Sequence, residues 1–143
     1  MQRIHKDLTL LLYLTPALIW AIGIFVIISI PSSAIPKSRL LNIEHIDKVI
    51  HFLLFFGFSL LLSFGFYKQH VYANTQKYYM LYAISISVFY GGLTEIIQAV
   101  MLSSRFGNVW DFFANSAGAL MGVLVFSMLT NSRLFKNPCI RNY

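Results

Sequence analysis

Glu95 is a carboxylic acid about two turns inside a long apolar run, with Thr94 before it and Gln98 three residues on. Ionised and alone in hydrocarbon, such a group costs about 2.5 kcal/mol or more. It must be paired, protonated or open to a wet cavity, and His51 and Arg105 are the residues able to pair with it. Asp47 and His51 are four apart and share a helix face, as do Asp111 and Asn115. A histidine with Glu95 or Asp111 beside it is the pair that general acid–base catalysis uses. Arg105, just ahead of a helix N-terminus, is equally suited to holding an anionic group.

Each of these side chains also has a plainer use. Asp111 stands at the N3 position of a helix that Asn108 would cap, where a carboxylate meets the positive end of the helix dipole. Gln98, Asn115, His51 and Glu95 can serve as interhelical hydrogen-bonding groups, and Arg105 as an interfacial anchor. A metal held by His51, Asp47, Glu95 and Asp111 is chemically reasonable. Those ligands come from three helices, though, and their spacing lends a metal no support. The expectation is no metal and no cofactor. No P-loop, GxSxG elbow, HExxH or CxxC pair occurs in the chain.

The elements that must position these residues follow from composition. Of 143 residues, 57% are hydrophobic and 11% charged, where soluble domains carry about 25% charged residues. A small soluble fold could not hide that much apolar surface, so lipid is the expected solvent and the chain is read as one membrane domain, 1–143. Charge-free gaps place four transmembrane helices at about 8–30, 49–67, 78–102 and 109–130. Each is long enough to cross about 30 Å of hydrocarbon. Arg3 and Lys6 resemble the start of a secretion signal, but the apolar run after them exceeds the usual h-region of about 7–15 residues, so helix one is read as retained. Short connections predict antiparallel neighbours, hence an all-α, up-down four-helix bundle. Ala114, Gly118 and Gly122 form a small-residue ridge that would let a neighbouring helix approach closely. Cys139 stands alone and is read as incidental.

This topology brings the start of helix two, the end of helix three and the start of helix four to one face of the bilayer. Asp47, Lys48, His51, Glu95, Gln98, Arg105, Asp111 and Asn115 all fall there, as one shallow polar cluster. Seven Lys and Arg residues lie on the opposite side and four on the side of the cluster. The positive-inside rule therefore puts both termini in the cytoplasm and the cluster outside. The net charge of +6 is spread between hydrophobic runs, without the basic, aromatic-interleaved patch of a nucleic-acid binder, and no nucleic-acid partner is expected.

The run Asp47-Lys48-Val49-Ile50-His51-Phe52, opening an aromatic-rich apolar helix, resembles the second-helix motif of VanZ-like proteins, a family of small bacterial membrane proteins. Glu95-Ile96-Ile97-Gln98, then Arg105, then Asp111 and Asn115 with Gly118 and Gly122, is similar to that family's second block. Ile30-Pro31-Ser32-Ser33 resembles its segment after helix one. The resemblance covers most of the chain. It implies a site at the eight polar positions named above and a place in the bacterial cytoplasmic membrane. The family's namesake is associated with low-level resistance to teicoplanin, a glycopeptide that binds cell-wall precursors. Many relatives occur where such resistance is not an obvious role, so fold and site transfer better than function.

Three functions fit these residues. One is binding of a membrane lipid headgroup, a lipid-linked precursor or another amphiphile by the polar cluster. A second is intramembrane catalysis on a lipid-linked phosphate, with His51 and Glu95 or Asp111 as the acid–base pair and Arg105 on the phosphate. The third, ion or proton transport, fits worst, because the polar residues stop at one face. The sequence sets neither the ligand nor an oligomeric state.

Overall fold

A computed structural model describes residues 2–30, 46–101 and 109–131. Five helices account for nearly all of them: α1 (Gln2–Ile28), α2 (Ile46–Lys68), α3 (Ala73–Lys77), α4 (Tyr79–Met101) and α5 (Val109–Asn131). There is no strand among the described residues. Lipid offers the backbone no hydrogen-bond partners, so a long apolar run satisfies its own amides only by coiling. Four of the helices are long and apolar enough to span a membrane. Pro16 lies inside α1 without ending it.

Two boundaries differ from those expected. α1 starts at Gln2 rather than near Leu8 and so takes in Lys6 and Asp7, and α2 starts at Ile46 rather than Val49. In both cases the charged residues that bound the apolar gap continue the helix beyond it. The second shift puts Asp47 in the first turn of α2, in line with His51. The third helix of the chain, the five-residue α3, has no hydrophobic signature from which the sequence predicts it.

The direction of each helix can be read from its partners. Trp20 Nε1 donates to the Leu54 carbonyl at 2.9 Å, and Leu14 meets Gly65 further along, so α1 and α2 are antiparallel. Phe58 packs on Tyr90 and Phe66 on Tyr82, so α2 and α4 are antiparallel too. Along α5, Asn115 meets His51, Gly118 meets Phe52, Gly122 meets Phe56 and Phe126 meets Tyr67. Those numbers rise together, so α2 and α5 run parallel, as the second and fourth spans of an up-down bundle must. α2 occupies the centre, against α1, α4 and α5.

Gly118 and Gly122 hold the most extensive of these contacts. A Cβ at Gly118 would collide with the Phe52 carbonyl, and one at Gly122 with the Phe56 carbonyl and the Ser59 hydroxyl. The expected glycine ridge is therefore real, although Ala114 is only half-buried and the buried stripe is Asp111, Asn115, Gly118 and Gly122. Polar groups and glycines share one face of α5. Below them Phe55, Phe58 and Tyr90 fill the middle of the bundle with rings 5.4–6.3 Å apart. At the far end Tyr67, Tyr79 and Phe126 pack edge to face at 5.3 and 5.7 Å. Gln69 ties the connection after α2 there, accepting from the Val71 and Tyr72 amides and donating to the Tyr72 carbonyl.

Candidate functional site

The first turns of α2 and α5 and the last two turns of α4 meet at one end of the bundle. Counting rise per residue from the helix ends, His51, Asn115 and Glu95 lie about 7–9 Å deep. All three are buried, at 3%, 0% and 8% exposure. Asp47 and Lys48, one turn nearer the end, keep 40% and 33% of their side chains exposed. The cluster is therefore graded, closed within and open at the rim.

Asn115 is its hub. Its Nδ2 donates to Glu95 Oε1 at 3.1 Å, and its Oδ1 lies 3.0 Å from His51 Nδ1. An amide that gives its N–H to Glu95 turns its oxygen to His51, so the imidazole carries its hydrogen on Nδ1. Glu95 Oε1 is also 3.5 Å from Nδ1. The other ring nitrogen, Nε2, points the opposite way, to Asp47 Oδ1 at 3.9 Å. Asp111 closes the group from α5. Lys48 Nζ is 3.6 Å from its Oδ1, yet among the described residues that buried oxygen accepts no hydrogen bond.

Six of the eight expected site residues thus converge: Asp47, Lys48, His51, Glu95, Asp111 and Asn115. Gln98 is buried but serves elsewhere, donating to the Ile28 carbonyl at the end of α1 at 3.2 Å. One turn beyond Glu95 the face of α4 has rotated toward α1, so the carbonyls of that helix end are its partners. Arg105, and Asn108 as the proposed cap of the fourth span, lie outside the described residues. Thr94 bonds the Gly91 carbonyl of its own helix. The buried hydroxyls of Ser59 and Ser63 were not singled out by type, since serine can return its proton to its own helix, as both do here. By residue type Asn115 is interhelical glue. No property of the sequence marks it as the residue between the two ionisable groups.

Four apolar spans, one end of the bundle lined by acids, a lysine and a histidine, and aromatic packing through its middle define a multi-pass membrane protein with a buried polar cluster at one end. The VanZ/LLP1 family description matches residues 6–130. The chain belongs to the VanZ-like family. No curated protein and no solved structure matches it.

Proposed function

We propose that the polar end of the bundle receives the headgroup of a lipid-linked or otherwise amphiphilic molecule. In this reading the protein sits in the bacterial cytoplasmic membrane with both termini inside and the cluster on the outer face. The graded exposure of the cluster carries the reading, from Asp47 and Lys48 at the rim to the sealed His51–Asn115–Glu95 relay. A purely structural polar network gains nothing from an open rim, whereas a headgroup needs one, with the lipid tail left among the exposed apolar side chains outside. Membership of the VanZ-like family adds a cell-envelope role of the glycopeptide-resistance type to the proposal. The excess of Lys and Arg on the other side supports the orientation.

A second reading, catalysis on a lipid-linked phosphate, draws on two distances. His51 is 3.5 Å from Glu95 and 3.9 Å from Asp47, within a hydrogen bond or one water of both carboxylates, as a proton-transfer pair requires. One experiment serves both. Membrane lipids and wall precursors are profiled by mass spectrometry in cells with the wild type, with no protein and with Glu95→Gln at matched membrane levels. Native mass spectra of the purified proteins are recorded alongside. Binding predicts an amphiphile retained by the wild type and lost from Glu95→Gln, with the three cellular profiles alike. A species that accumulates equally in the deletion and the Glu95→Gln strain would establish catalysis instead. Equal retention by both proteins with no change in the profiles would remove the site assignment.

A further inference from the structure

We infer that Asp47, His51 and Asp111 form a binding site for a divalent first-row metal ion, with Asn115 and Glu95 as its supporting shell. A ligand atom from each of the three lies within 4.8 Å of the other two. Bonds of about 2.0–2.2 Å to nitrogen and oxygen set ligand atoms roughly 3–3.5 Å apart. Small rotamer changes cover the difference, and the most exposed ligand, Asp47, has the most room to make them.

Two observations point to an ion and not to a cluster of acids alone. First, the hydrogen on His51 Nδ1 is fixed by Asn115, whose own amide is fixed by Glu95. Nε2 is then the ring nitrogen left to offer a lone pair, and it faces Asp47 Oδ1 at 3.9 Å. A metal-bound histidine is held in the same way, by a carboxylate or amide oxygen on its remote nitrogen. Second, Asp111 is 6% exposed, and its buried Oδ1 accepts no hydrogen bond among the described residues. Lys48 Nζ at 3.6 Å is beyond hydrogen-bond reach and sits on a side chain one-third exposed, free to swing to water.

One imidazole with two carboxylates suits Zn²⁺ or Mn²⁺, and three protein ligands leave positions open on the ion. The rim at Asp47 provides the route from water. The site does not depend on any amphiphile, but an ion there would make an acid-rich cluster receptive to an anionic headgroup.

The test uses full-length protein in detergent, stripped with a chelator and then titrated with Zn²⁺ or Mn²⁺ in the absence of added lipid. Bound metal is counted by elemental mass spectrometry. The expected result is one ion per chain, with affinity lowered at least about tenfold in Asp47→Asn/Asp111→Asn and about 10–100-fold in Asn115→Leu. Lys48→Met should bind at least as tightly as the wild type, because it removes the competing cation. X-ray absorption of the zinc-loaded wild type keeps the test decisive if a variant misfolds, and it should show one imidazole among oxygen ligands. No ion above background, equal retention by the double variant (an adventitious ion only), or a sulfur-ligated zinc would each overturn the proposal. Loss of metal binding would leave the headgroup reading standing, and loss of amphiphile retention would leave the metal site standing.

Discussion

At the scale of the residue, Asn115 does what neither of its ionisable neighbours can. It presents a donor to Glu95 and an acceptor to His51 in one planar group, so a carboxylate and an imidazole stay in register without a charge of its own. Asn115→Leu is nearly isosteric and removes both contacts. A buried polar group stripped of its partner costs about 1–3 kcal/mol, more where it is charged. Unfolding measured in detergent should show a loss in that range or above. Ser116→Ala, on the next position of the same helix, removes a hydroxyl that among the described residues bonds only the Phe112 carbonyl of its own turn. It should change stability by less than about 0.5 kcal/mol. Equal effects from the two variants would mean that the relay contributes nothing. The residue types of this site were legible in the sequence, because an ionisable group in an apolar run stands out. The hub was not legible, since an asparagine inside a span is ordinary glue until its two neighbours are known.

At the scale of the element, the register of α2 against α5 decides whether a site exists. The glycines set it. Backbone carbonyls of Phe52 and Phe56 occupy the space that side chains at positions 118 and 122 would fill. One turn further toward the start of α5 the same close approach brings His51 to Asn115, and two turns further Lys48 to Asp111. Gly118→Ala forces the helices apart and should destabilise the bundle by about 1–3 kcal/mol, the usual range for overpacking. It should also abolish whatever binding the cluster performs. Gly92→Ala provides the contrast. Its Cβ would meet only the Phe112 ring at 3.5 Å, an ordinary contact. Because alanine is the better helix former, this variant should be neutral or stabilising by up to about 1 kcal/mol. Thermal unfolding of both in one detergent checks the pair, and similar losses would remove the glycines from the account. The ridge was visible in the sequence as a four-residue repeat of small residues, but its partner was not. Choice of partner depends on which carbonyls face the ridge, and a list of side chains does not contain that. Gln98 shows the same limit: its spacing from Glu95 suggested a shared task, yet the turn of α4 directs it to the end of α1.

At the scale of the molecule, the number and order of the spans could be read from charge-free gaps because the bilayer enforces them so strongly. The short α3 and the early start of α1 could not be, since both lie where water and lipid meet and either conformation is affordable there. The parallel pairing of α2 with α5 has one more consequence, which concerns time. These spans are separated in the chain by α4, so the bundle cannot close around its centre until the last span has been made. Glu95 emerges 20 residues ahead of Asn115. At roughly 5–20 residues per second this is about 1–4 s of synthesis. During that interval the acid has His51, made earlier, within its reach but not the amide that later links them. A chain ending after α4 makes the interval permanent. In a pulse-chase experiment it should be degraded faster than the full-length protein and rescued in part by Glu95→Leu, whereas equal lifetimes would show that the unfinished bundle already shelters the acid. Nascent VanZ-like chains would then carry, for a few seconds each, a recognisable mark of incompleteness that the arrival of Asn115 erases.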